Sequence, residues 1–304
     1  MIELKDHLGA AARQHRVQVN GIEVHAVSAG LGEPLLLLHG TPKTHIYWRK
    51  LLPLLTPHYQ VIAPDLRGSG LSGHPPSDNG YLSTTVAEDL RQLLDYFEVE
   101  SAFVHAEDRG AEYGFVLAAK HPERVKALSF AEMLLSGYGL ESRSFLTEAN
   151  LSDNASRRAP WEWHVPLFFN TEVAELLITG KGREFWTYWI ESQAFDPTAI
   201  PADLLDEWIS LLSTPHGLRG MLDTYRATLE NAKINRALQG QLPSTPTIAI
   251  GGSHCFNDLV GQSLTDIGVK PLESHVIQDC GHALSLEQPE QVARILTEFF
   301  RSAR

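Results

Sequence analysis

The 304-residue sequence predicts an α/β fold: a mostly parallel sheet with helices on both faces, interrupted by a long helical insertion. Three observations carry this. Continuous apolar runs such as Pro34 to Leu38 and Tyr59 to Ala63 mark strands buried on both faces. Runs with helical spacing alternate with them. From residue 133 to 238 the apolar periodicity becomes wholly helical, and buried-strand runs resume only afterwards.

Taken in order, residues 16–29 alternate apolar and polar about Asn20-Gly21, the signal of an antiparallel hairpin with a two-residue turn. The strand Pro34–Leu38 ends in His39-Gly40-Thr41-Pro42. The strand Tyr59–Ala63 ends in a glycine-rich loop, Asp65-Leu66-Arg67-Gly68-Ser69-Gly70. Val86, Leu90, Leu93, Leu94 and Phe97 predict a packed helix over 84–97. An apolar run, Ala102 to Val104, then leads through His105-Ala106-Glu107-Asp108-Arg109-Gly110 into a helix ended by Lys120-His121-Pro122, and Val125 to Ala131 forms a further strand closing in Glu132. The insertion carries a cluster of tryptophans: Trp161, Trp163, Trp186, Trp189 and Trp208. Strands at Thr245–Ile250 and Ser274–Ile277 and a last helix from Pro289 to Phe300 complete the pattern, with Pro289 at a tolerated first-turn position. The expected division is a core from 1–132 and 239–304, with residues 133–238 as a helical cap.

Composition excludes several classes of partner. A net charge of −12 argues against nucleic acid or an anionic membrane surface. No apolar stretch approaches a membrane span, and the acidic N-terminal segment lacks the apolar core of a signal peptide. Cys255 and Cys280 form no disulfide framework, which points to a reducing cytoplasm. The 14 histidines show no metal-ligand spacing, so neither metal nor cofactor is expected.

The chemistry centres on Asp108. Small residues flank it two positions away on each side, Ala106 and Gly110, as a tight strand-to-helix turn requires. Such a turn lifts the central side chain above the sheet, where a carboxylate can attack an electrophilic carbon and form an ester. The blander reading is an ordinary Asp-containing turn. His282, in Asp279-Cys280-Gly281-His282, follows a predicted strand and is the candidate base; by itself it would read as a loop histidine capping a helix. Two acids could orient it. Glu132 ends its strand among apolar neighbours, where a carboxylate needs a partner. Asp258 lies seven residues beyond its strand and reads better as a helix cap. Glu132 is therefore favoured. The amides of Thr41 and Arg109 are the natural oxyanion donors.

His39-Gly40-Thr41-Pro42, Asp65 to Gly70, the Asp108 elbow and Gly281-His282 together resemble the α/β-hydrolase superfamily over nearly the whole chain. The resemblance implies the α/β-hydrolase fold. An Asp nucleophile narrows it to epoxide hydrolases and to the haloalkane and haloacetate dehalogenases. Trp161-Glu162-Trp163-His164-Val165, Leu176 to Lys181, Thr214-Pro215-His216 and Asp223-Thr224-Tyr225-Arg226 resemble the lid of Cif-type bacterial epoxide hydrolases. In that group a His and a Tyr at the positions of His164 and Tyr225 hold and protonate the epoxide oxygen, and the orienting acid is a Glu at the position of Glu132. Both residues would otherwise read as packed amphipathic side chains.

Fluoroacetate dehalogenases share Asp108-Arg109-Gly110-Ala111 and Thr44-His45, but this chain lacks their second Arg, having Glu112, and has Val165 where they place a Trp. The expected activity is thus epoxide hydrolysis through an ester on Asp108. A dehalogenase using the same nucleophile is the alternative, and a non-catalytic binding protein of this fold the third reading. The expected partners are a small apolar epoxide and water; the resemblance also implies a homodimer.

Overall fold

The computed structural model describes residues 2–76, 80–145, 147–148, 162–239 and 244–303. Trp161, one of the clustered tryptophans, lies outside them.

Eight strands form one sheet: β1 (Arg13–Val19), β2 (Ile22–Ala29), β3 (Glu33–Leu38), β4 (Tyr59–Pro64), β5 (Ala102–Glu107), β6 (Val125–Ala131), β7 (Thr247–Gly252) and β8 (Glu273–Ile277). Their order is β1-β2-β4-β3-β5-β6-β7-β8. β1 pairs with β2, and β2 with β4, antiparallel; every later pair is parallel. The hairpin turns at Asn20 and Gly21, both at positive φ (42° and 81°), as a tight two-residue turn demands. Leu35 to Leu38 are fully buried, which fits a central strand covered on both faces.

Two long helices frame the centre of the sheet, α1 (Ser83–Tyr96) and α2 (Arg109–Lys120). Between β6 and β7 the described residues contain no strand of the sheet and build six longer helices: α3 (His164–Phe169), α4 (Thr171–Ile178), α5 (Gly182–Ser192), α6 (Ala202–Leu212), α7 (Pro215–Arg226) and α8 (Thr228–Leu238). After β7 comes α9 (Leu259–Ile267), and the chain closes with α10 (Pro289–Ser302). Phe300 of α10 stacks on Phe103 of β5, with ring centroids 4.8 Å apart. No described helix is long and apolar enough to cross a membrane.

Two strands differ from the sequence expectation, and both differences lead to the site. β5 runs past Val104 to Glu107, because His105 and Glu107 satisfy each other inside the sheet (Nε2 to Oε1, 3.1 Å). β7 begins at Thr247, after Pro246, and extends through Gly251-Gly252. A Cβ at Gly251 would meet the Asn257 carbonyl oxygen at 2.0 Å, and one at Gly252 the Gly281 carbonyl oxygen at 2.2 Å. Only glycine lets the loop carrying His282 approach so closely.

Candidate active site

Asp108 sits at the carboxyl end of β5 and caps α2, with φ 55° and ψ −133°. This is costly backbone for a residue with a side chain, and it is held by packing. A Cβ at Gly110 would lie 2.3 Å from the Leu38 carbonyl oxygen, so the turn needs glycine there. Both carboxylate oxygens are engaged: Oδ1 accepts from the Arg109 amide at 2.7 Å, and Oδ2 from the Thr41 amide at 3.1 Å. The two donors expected to hold an oxyanion thus flank the Asp108 carboxylate itself.

His282 stands beside it, with Nε2 3.3 Å from Asp108 Oδ2, while its Nδ1 is 2.9 Å from Glu132 Oε2. Glu132 is fully buried just beyond the end of β6, at φ 46°, and its Oε1 accepts from the Gly252 amide at 2.5 Å. Asp258 is exposed at the start of α9 and makes no side-chain cap hydrogen bond. Among the described residues, the carboxylates at the two ring nitrogens of His282 are those of Asp108 and Glu132.

Burial by itself would raise the Asp108 carboxyl, but the hydrogen bond and charge of His282, then Lys43 and Arg109, hold it down at about 2. For His282, burial and the Lys43 charge press the imidazole downward. Hydrogen bonds with Asp108, Cys255 and Glu132 outweigh them and leave it well above the usual histidine range.

Opposite this group lie the two insertion residues. Tyr225, on α7, is buried, and its hydroxyl lies 2.9 Å from Thr41 Oγ1. Burial first, then the Asp108 charge, keeps the phenol strongly in its neutral form. His164, at the start of α3, packs edge-on to Tyr225 with ring centroids 5.7 Å apart and lies close to Trp189, at 5.0 Å. Burial lowers its imidazole to about 3, so it is neutral at physiological pH. Asp108, His282, His164 and Tyr225 line one pocket, closed further by Val165, Trp189 and Gln193.

Arg109 also lines this pocket, its guanidinium over the Tyr225 ring at 5.0 Å from the centroid. Its guanidinium donates to Glu112 Oε2 at 2.9 Å, Ser136 Oγ at 3.2 Å and Thr228 Oγ1 at 2.7 Å. Glu112 is fully buried and also accepts from the Ser136 amide and from Asn231 and Asn235. Glu112 therefore acts by neutralising Arg109, not by facing a substrate anion as its sequence position implies. His45 likewise turns inward, its amide and Nδ1 both on Asp65 Oδ1 at 2.7 and 2.8 Å.

Two described clusters bring three ligand-type atoms together, His25–His45–Asp65 and Glu132–Cys255–His282. In both, the histidine Nδ1 atoms already pair with a carboxylate. Sequence reasoning missed Gln193, whose carbonyl accepts from the His282 amide at 2.9 Å, and Lys43, which follows the Thr41 turn. Nothing local marks either: one follows the end of α5, and the other reads as an ordinary loop lysine.

The alpha/beta hydrolase fold family matches residues 33–289, and the chain belongs to that family. It is 28% identical over 295 residues to a soluble epoxide hydrolase of Corynebacterium sp. (strain C12), covering 95% of this chain and 98% of the relative. To a fluoroacetate dehalogenase of Burkholderia sp it is 26% identical over 309 residues, covering 95% and 93%. Among solved structures, Cfl2 from Burkholderia cenocepacia superposes with a TM-score of 0.87 at 29% identity, covering 98% of this chain and 99% of that one. The Cif epoxide hydrolase from Acinetobacter nosocomialis shares the fold, with a TM-score of 0.85 at 23% identity over 95% of this chain and 88% of its own. The protein is a hydrolase.

Proposed function

We propose that the protein hydrolyses epoxides to vicinal diols through an ester on Asp108. The observation that carries this reading is the pocket's arrangement. A carboxylate held low stands between a buried Glu132–His282 pair and two neutral donors, while the nearby guanidinium is consumed by Glu112. In the first step an Asp108 oxygen bonds to a ring carbon and the ring C–O bond breaks. The leaving oxygen takes the Tyr225 proton, and the N–H of neutral His164 adds a hydrogen bond. Esterification deletes the negative charge that holds a proton on His282, so the imidazole gives up that proton, which restores the Tyr225 hydroxyl through solvent, and becomes able to serve as base. It then takes a proton from water as the water oxygen adds to the ester carbonyl. The Thr41 and Arg109 amides hold the oxyanion; on collapse the carbon–oxygen bond to the substrate breaks, the leaving oxygen takes the proton of the added hydroxyl, and the diol and the Asp108 carboxylate result. Glu132 keeps the Nδ1 proton in place, leaving Nε2 free to accept.

In this reading residues 133–238 form the cap that supplies His164, Tyr225 and the pocket roof to the core. The two cysteines, buried and in no disulfide, support a reducing cytoplasmic setting.

A dehalogenase with the same nucleophile is the second reading. It draws support from the full-length fluoroacetate dehalogenase relative and from Trp189, whose buried indole N–H lacks a partner in the pocket wall and suits a halide. Intact-protein mass of Glu132→Gln, exposed separately to a small epoxide and to fluoroacetate, tests both. A gain of the whole epoxide mass on Asp108 is expected. A gain of fluoroacetate less hydrogen fluoride transfers the assignment to carbon–fluorine cleavage, and no adduct from either removes the nucleophile role.

A further inference from the structure

The loop that carries His282 is held by three consecutive amides. Those of Gly281 and Ala283 donate to Glu287 Oε1 at 3.1 and 3.2 Å, and the His282 amide between them donates to the Gln193 carbonyl at 2.9 Å. Glu287 ends the one-turn helix Leu284–Glu287, so its side chain folds back over the loop it follows. Its other oxygen, Oε2, accepts from the Phe195 amide at 2.8 Å, from Asp196 at 3.1 Å and again from Gly281 at 3.1 Å. One carboxylate with four amide donors thus joins the loop of the base to the segment that follows α5 in the insertion.

Two further contacts keep this junction close. A Cβ at Gly281 would lie 2.4 Å from the Gln193 carbonyl oxygen and 2.5 Å from the Phe195 amide nitrogen, so only glycine lets the two segments touch. Lys50 bridges them again, its Nζ donating to the Ala199 and Leu286 carbonyls at 2.8 Å each. Glu287 does not line the reaction pocket, and its carboxylate is engaged by backbone amides, so what it controls is position.

Position weighs unequally on the two steps. Ring opening draws on Asp108, Tyr225 and His164, none of them on this loop. Ester hydrolysis needs His282 Nε2 aimed at a water beside the ester carbonyl, where a misplacement of about 1 Å costs on the order of 10²-fold. Glu132 fixes only Nδ1, on the far side of the ring. The amides on either side of His282 fix the backbone from which the ring hangs. Resting on the ester mechanism of the epoxide reading, we propose that Glu287 is a positioning residue for the hydrolytic step. It holds the His282 backbone against the insertion, so that the base keeps its register with the pocket wall formed by Trp189 and Gln193.

The test follows intact-protein mass through a single turnover of a small epoxide, giving the rate at which the adduct forms on Asp108 and the rate at which it decays. Glutamine at 287 offers one acceptor oxygen in place of two and turns an NH2 toward amide donors. Glu287→Gln should slow adduct decay by about 10- to 100-fold while adduct formation stays within about threefold of wild type, so the ester accumulates. A purely structural residue would slow both steps alike or neither. Gly281→Ala, which pushes the same two segments apart from the other side, should give the same split and serves if Glu287→Gln does not fold. Equal slowing of both steps, or an unchanged decay rate, in a folded variant overturns the proposal, and loss of folding in both variants makes Glu287 a structural staple and overturns it as well. Glu132→Gln separates this failure from that of the epoxide reading. If Glu132→Gln gains no epoxide but gains fluoroacetate less hydrogen fluoride, the epoxide assignment falls, and the same two rates read with fluoroacetate decide the role of Glu287. If it gains neither, His282 has no ester to clear and both readings fall.

Discussion

Gly40 offers a direct test of how tightly the Asp108 carboxylate is held. Its backbone permits an L side chain, so Gly40→Ala isolates a question of space. An added Cβ would sit 2.2 Å from Asp108 Oδ2 and 2.3 Å from Asp108 Cβ and Cγ, whereas ordinary contact begins at 3.4 Å. One side must therefore move by about 1.2 Å. Oδ2 is the oxygen bonded to the Thr41 amide and facing His282, so either the carboxylate leaves both partners or the 39–42 turn withdraws its oxyanion donor. Misplacing a reacting group by about 1 Å costs on the order of 10²-fold in rate, and losing one oxyanion donor about 10²–10³-fold. The overpacking itself destabilises the fold by about 1–3 kcal/mol. Gly40→Ala should thus lose at least about 100-fold in kcat for diol formation while remaining folded by circular dichroism, with a modestly lower Tm. A folded Gly40→Ala enzyme within threefold of wild-type kcat would refute the claim that Asp108 is fixed by close contact with the turn.

The remaining predictions concern roles. Glu132→Gln puts an amide against His282 Nδ1 and should slow ester hydrolysis by about 10²–10⁴-fold, the scale seen when the orienting acid of a serine protease triad is neutralised. Asp258→Asn should stay near wild type in the same single-turnover assay, and the reverse ranking would exchange their roles. Tyr225→Phe should slow ring opening by about 10²-fold or more, read as the rate of adduct formation; an unchanged rate would make Tyr225 a packing residue. Because the His282 value is raised in the folded state, its stabilising contribution is complete below the ordinary histidine range and is lost as pH rises through the folded value. The Asp108 value is depressed to about 2, so its contribution is present above the ordinary carboxylate range and fades as pH falls toward 2. Asp108→Asn should shift the His282 imidazole titration downward by NMR, and an unmoved titration would mean that Asp108 is not what holds that proton.

Asp108, Glu132 and the Thr41 turn were legible in the sequence for one reason: they sit at the ends of buried parallel strands. Asp108, Glu132 and the Thr41 turn each follow a continuous apolar run, and parallel strands deliver such residues to one edge. The hairpin at Asn20-Gly21 was readable for an equally local reason. What local pattern does not encode is the destination of long polar side chains. Arg109 reaches Thr228 as well as Glu112, and His45 reaches Asp65, because partners distant in sequence meet only after packing. Lys43 is the extreme case, since its burial is produced by Ile190, Trp208 and Leu286, all more than 140 positions away in the chain. β5 and β7 run past the apolar stretches that mark them, because His105–Glu107 pairing and close backbone approach keep polar residues and glycines in the sheet.

The Glu112 cluster limits how this enzyme can be recombined with its relatives. Glu112 belongs to α2, while Asn231 and Asn235 belong to α8, the last described helix before the chain returns to the sheet. Their hydrogen bonds, with those of Arg109 and Ser136, cross the seam at which a chimaera would be cut. A transplanted insertion lacking the two asparagines would leave each oxygen of a fully buried carboxylate with one donor in place of two, at about 1.5–3 kcal/mol for each lost charged hydrogen bond. Residues 112, 231 and 235 therefore have to be exchanged as a set, and the insertion is not an interchangeable module.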